Sequence, residues 1–108
     1  MAIENSKREL HRALVTRILE GDGRTPPAER RKAFDNEIAR EPLRTLVGKV
    51  AGDPTGVTDD DVAAVKAAGI TEDQVFEFVI CAAVGQATRQ YKSALTALDE
   101  ACAGQARD

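Results

Sequence analysis

The chain is poor in the residues that carry most protein chemistry. It has one histidine, two cysteines, one tyrosine, three phenylalanines and no tryptophan in 108 residues. One histidine, His11, and carboxylates without ligand spacing argue against a zinc-type centre. A phosphate-binding glycine loop is also missing, because Gly21-Asp22-Gly23 has no strand before it. No metal or cofactor is therefore expected. No apolar run reaches the roughly 18 residues a membrane span requires. The start, Met1-Ala2-Ile3-Glu4-Asn5, lacks a basic segment followed by an apolar one, so the expected location is cytoplasmic. With only Phe34, Phe76, Phe78 and Tyr91 as aromatics, the core must come from Val, Leu, Ile and Ala. Abundant alanine favours closely packed helices.

What is present points to one all-α domain, residues 1–108, with about five helices. At this size the buried fraction of surface is modest, and stability is often shared with a partner subunit. The net charge of -3 is unevenly placed. Residues 1–49 hold 11 Lys/Arg against 8 Asp/Glu, and residues 50–108 hold 4 against 10, giving +3 and -6. That imbalance suggests complementary surfaces and is too weak to argue for nucleic acid.

Residues 5–20 read as a first helix, with Ser6 and Glu9 at capping-box spacing and Leu10, Leu14, Val15, Ile18 and Leu19 recurring at three and four. Gly21-Asp22-Gly23 stops it. Thr25-Pro26-Pro27 starts a second helix, with Thr25 as its cap, a thin stripe of Phe34 and Ile38, and Arg30-Arg31-Lys32 facing solvent. Glu41-Pro42 marks the next boundary. Leu43, Leu46, Val47 and Val50 then share a face of a short third helix. Two further starts have one design. Thr58 is followed by three aspartates, and Thr71 by Glu72, Asp73 and Gln74, with Gly69 as a left-handed stop between them. The tail from Gly104 to Asp108 is expected to fray.

The last helix, Thr71 to Cys102, is the organising element. At about 100° per residue, Phe76, Ile80, Ala83, Val84, Ala87, Tyr91, Ala94 and Leu98 fall in one sector, the expected core face. Phe78, Val79, Ala82 and Gly85 are assigned to a second, partner-facing side, so the helix is expected to assemble with other copies. The alternative is that the first three helices cover both sides. Gln86 and Arg89, three apart, are candidates to bind a small carboxylate, or else make interface or surface contacts. Tyr91 reads as a packed ring. Cys81 and Cys102 are 21 residues apart. On one helix that is about 31 Å, beyond the ~7 Å that a disulfide spans.

The stretch Thr58 to Leu98 resembles the carboxymuconolactone decarboxylase / alkylhydroperoxidase D-like family. The resemblance rests on a helix ending Val62-Ala63-Ala64-Val65-Lys66-Ala67-Ala68-Gly69, then Ile70-Thr71-Glu72-Asp73-Gln74-Val75-Phe76-Glu77, then a helix of small apolar residues. It implies an all-helical trimer or hexamer assembled through the long helices. In the peroxidase branch a Cys-x-x-Cys pair and a later His would fall on Pro54, Val57 and Asp61. Proline and valine cannot attack or resolve a peroxide. Asp61 is a poor proton relay near neutral pH. The decarboxylase branch works on a lactone carboxylate held by charged groups, for which Arg44, His11, Glu41 and Arg89 are the candidates. The expected function is a non-redox oligomer acting as a binding or accessory protein. The alternatives are a decarboxylase-type enzyme for a small carboxylate and a peroxidase with relocated cysteines.

Overall fold

The computed structural model describes residues 2–106, with side chains described for residues 5–104. Among the described residues there are five α-helices and no strand. They are α1 (Ala2–Glu20), α2 (Pro27–Phe34), α3 (Leu43–Gly52), α4 (Asp59–Ala67) and α5 (Glu72–Ala106), with a 3-10 turn at Pro54–Gly56 before α4. No helix among them is long and apolar enough to cross a membrane. The 35-residue α5 is about 52 Å long at ~1.5 Å per residue. It accounts for most of the molecule's 59 Å length, against 28 and 20 Å across.

The helix ends follow local chemistry. Thr58 and Asp61 form a capping box, with the Thr58 N–H donating to Asp61 Oδ2 at 2.8 Å and the Asp61 N–H to Thr58 Oγ1 at 3.2 Å. Thr71 and Gln74 repeat it at 3.0 and 3.2 Å. Each pair satisfies donors that a helix start leaves open. Gly69 (φ 96°) ends α4 with the Ile70 N–H reaching back to the Val65 carbonyl. Asn36 (φ 56°) does the same after α2, with the Glu37 N–H on the Lys32 carbonyl at 2.8 Å. Asparagine tolerates this left-handed conformation better than most residues. Two expected caps do not form. Ser6 lies inside α1, which begins at Ala2, and Pro26 occupies the cap position of α2 in place of Thr25. The helix also runs past Gly104 to Ala106; Arg107 and Asp108, where fraying was expected, lie outside the described residues.

The core gathers Phe34 and Ala33 of α2, Leu43, Leu46 and Val47 of α3, Val65 of α4, and Val75, Phe78, Cys81 and Ala82 of α5. Ile38, expected on α2, lies in the loop beyond it but is buried in the same cluster. α2 and α3 pack across the first half of α5. α1 runs antiparallel to α5, since Ile18 meets Cys81 and His11 meets Thr88.

The expected faces of α5 are largely reversed, although Val84 does pack against the core and Ile80 and Tyr91 are half-buried. Phe78, Cys81, Ala82, Gly85 and Thr88 point inward, while Phe76, Ala83, Ala87, Ala94 and Leu98 are exposed. Phe78 is 2% exposed and Phe76 64%. The proposed partner residues Phe78, Ala82 and Gly85 are thus inside this chain, and Val79 is half-buried against the same core. The deciding feature is how closely α2 approaches α5. A Cβ at Gly85 would lie 2.7 and 2.8 Å from the carbonyl carbon and Cα of Phe34. Only a glycine there lets the end of α2 dock.

A carboxylate fastens the turn between α1 and α2. Glu77, alone among apolar neighbours in Val75-Phe76-Glu77-Phe78-Val79, accepts the backbone N–H groups of Arg24 and Thr25. The Thr25 bonds are 3.1 and 3.3 Å, and Thr25 is buried. Glu77→Ala strands that donor and is expected to cost about 2 kcal/mol, with Glu77→Gln intermediate, read from urea midpoints.

Candidate functional site

Three places carry chemically informative side chains. The first is the expected pair Gln86 and Arg89. Arg89 Nη2 donates to Gln86 Oε1 at 3.0 Å, and Nη1 donates to the Phe34 carbonyl at 2.6 Å. That carbonyl closes the last turn of α2, where a cation is favoured by the helix dipole. Arg89 is therefore a clamp between helices, and Gln86 orients it. Among the described residues, the other two ligand candidates make no hydrogen bond or ion pair with this pair. Glu41 accepts from Thr45 Oγ1 at 2.6 Å, and both Glu41 and Arg44 are exposed near the start of α3. None of the four lines the groove between α1 and α5 described below.

The second is the neighbourhood of Cys81. Its thiol is buried, and burial pushes its pKa up to about 11, outweighing the lowering influence of Arg30. The Sγ lies 3.9 Å from the Ile18 carbonyl, which also accepts from Arg30 Nη1 at 3.0 Å. Arg30 was expected in solvent but is only 5% exposed. It caps the end of α1 from within the core, whereas Arg31 and Lys32 are exposed. Cys102 is exposed on the same helix, and neither thiol is paired. Where the family's peroxidase pair would fall, Pro54 opens the 3-10 turn and Val57 follows it. Asp61 is held below the usual carboxylate range by Lys49 at 2.8 Å and by the Thr58 backbone N–H. It is ionised at neutral pH and has no proton to give.

The third is a groove of about 520 Å³ between α1, the end of α2 and the second half of α5. Its walls include Val15, Phe34, Tyr91 and Leu95, and Arg8, Arg12, Arg31 and Lys92 also line it, against one carboxylate, Asp99. His11 is half-buried here. Its Nε2 and Thr88 Oγ1 share a hydrogen bond of 3.1 Å, and its ring lies 5.2 Å from the Tyr91 ring. Arg31 is engaged by Asp35 at 3.1 Å and lies over Phe34. Among the described residues, no carboxylate lies within ion-pair distance of Arg8, Arg12 or Lys92. Arg8 and Arg12, four apart, share one face of α1. Its partner Lys92 lies 80 positions beyond Arg12, and nothing short of the antiparallel packing of α1 on α5 joins them.

Comparison of the chain with protein-family models, with curated proteins and with solved structures finds no match. The family resemblance of Thr58 to Leu98 rests on the residues quoted for it.

Proposed function

We propose that this chain is a non-redox helical protein with a binding or accessory role, acting as a homo-oligomer assembled through the outer face of α5. The observation that carries it is the uncovered apolar seam. Phe76, Ile80, Ala83 and Ala87 follow one another at alternating steps of four and three, and the spacing resumes at Ala94, Ala97 and Ala101. All but the half-buried Ile80 are exposed. That is the heptad spacing by which helices pair, and the alanines allow close approach.

The surface area supports the same conclusion. A compact chain of 11.6 kDa would expose about 5,800 Å². This one exposes 7492 Å² and has a radius of gyration of 16.8 Å, against ~13 Å for a compact domain. The excess is about twice the roughly 800 Å² that each partner buries in a standard interface, room for a contact on more than one side.

A thiol near pKa 11 is almost wholly protonated at neutral pH and is a weak nucleophile. Two unpaired thiols suit a cytoplasmic setting. The decarboxylase alternative has no comparable support, because Arg89 is tied to Phe34.

Sedimentation equilibrium tests the assembly. The expected mass is a multiple of 11.6 kDa, three- or sixfold if the family resemblance extends to assembly. Phe76→Glu should shift it to monomer while changing monomer stability by no more than ~0.5 kcal/mol. A wild-type chain that stays monomeric at millimolar concentration removes the proposal.

A further inference from the structure

We infer that the groove between α1 and α5 is a binding site for a phosphate monoester carrying an apolar body. This goes beyond the assembly proposed above and uses other residues. On a chain of net charge -3, three cations without a partner among the described residues converge on one concavity. Arg8 and Arg12 come from one face of α1, four apart, and Lys92 comes from α5. Cations on a solvated helix face usually stand over polar surface. These line a groove together with Val15, Phe34 and Leu95, so the site has one surface for an anion and another for hydrocarbon. Its volume falls within the range of small-ligand sites.

Charge selects the head group. A phosphate monoester carries about -1.5 to -2 near neutral pH and offers three acceptor oxygens. Guanidinium forks match that geometry, and a third cation completes the neutralisation. With Asp99 on the wall, Arg8, Arg12 and Lys92 leave a net charge of +2, which a phosphate monoester matches and a carboxylate only half compensates. The apolar lining and the Tyr91 ring favour an ester over inorganic phosphate, which brings nothing to cover them.

The test uses the full chain and four probes: hexyl phosphate, hexanoate, hexanol and inorganic phosphate. Tyr91 is the only tyrosine and there is no tryptophan, so intrinsic fluorescence reports from the groove itself. Calorimetry supplies the affinities. Hexyl phosphate should bind and change the Tyr91 emission, at least ~10-fold more tightly than hexanoate or inorganic phosphate, with hexanol weaker still. Each of Arg8→Gln, Arg12→Gln and Lys92→Gln should weaken it ~5-fold or more without altering the thermal melt, since all three residues are exposed. Lys66→Gln, an exposed cation on α4, should leave it unchanged.

Equal affinity for hexanol, an equal loss with Lys66→Gln, or no binding at millimolar probe overturns the inference. So does attachment to anionic lipid vesicles without binding of the soluble ester. Running the titration on Phe76→Glu as well separates the two proposals. Binding by a monomeric variant leaves the groove intact whatever becomes of the assembly.

Discussion

Gly85→Ala is expected to destabilise the chain by about 3 kcal/mol or more, although alanine is the better helix former by ~1 kcal/mol. The sign is set by where the new methyl would go. It would meet the backbone of Phe34, with its carbonyl oxygen, carbonyl carbon and Cα all inside 3 Å, and a backbone cannot rotate away as a flexible side chain can. Relief requires α2 to withdraw from α5, which also breaks the Arg89 bond to the Phe34 carbonyl and loosens Phe34 and Ala33 in the core. Whole-domain stability is only about 5–15 kcal/mol, so the loss is a large share of it. Thermal melts should show a fall of more than ~10 °C. Gly48→Ala is the control. It lies within α3, where a new methyl would have nothing inside 4 Å, and it should gain about 0.5–1 kcal/mol. If Gly85→Ala also gains, the close docking of α2 on α5 is wrong.

The features legible in the sequence are those set by a few neighbouring residues. Thr58 with Asp61, Thr71 with Gln74 and the left-handed Gly69 each act within one turn, and each sits where its local chemistry puts it. The long final helix was legible for the same reason, since nothing between Glu72 and Ala106 breaks it. Ser6 fails as a cap because it has the right spacing but no chain break before it; α1 continues through it. Arg30 was misplaced because burial of an arginine depends on an acceptor, here the Ile18 carbonyl, that sequence spacing does not reveal. Glu77 did leave a signal, a lone carboxylate in an apolar run. Its partners are backbone groups more than 50 positions away.

The candidate site was less legible than the fold. Gln86 and Arg89 do pair, as their spacing of three allows, but the group they serve is a main-chain carbonyl of α2. Side-chain identity cannot announce a main-chain acceptor. The groove is hidden for a related reason: α1 contributes its arginines and α5 its lysine, and only tertiary packing adds them together. At about 100° per residue α5 has two apolar sides, and the one expected inside carries the longer stripe, from Phe76 to Leu98. Packing puts the other side inside, where Gly85 lets the end of α2 come near and Ala82 is buried.

Phe78→Ala and Phe76→Ala put that assignment to a direct test, because the two residues are neighbours on one helix with opposite surroundings. Phe78 is enclosed by the chain's own core, so truncating it should cost about 3–5 kcal/mol through lost burial and the cavity left behind. Phe78→Glu should not fold, since it would add an unpaired carboxylate to the same place. Phe76 is mostly exposed, and truncation should change the stability of the isolated chain by less than ~1 kcal/mol. Protein concentration separates the two further. A core defect lowers the urea midpoint equally at every concentration. A residue whose cover comes from another copy stabilises only where copies associate, so the Phe76→Ala deficit should grow as concentration rises. Equal, concentration-independent losses at both positions would mean that Phe76 has cover within its own chain, and the outer face of α5 would no longer be available for assembly.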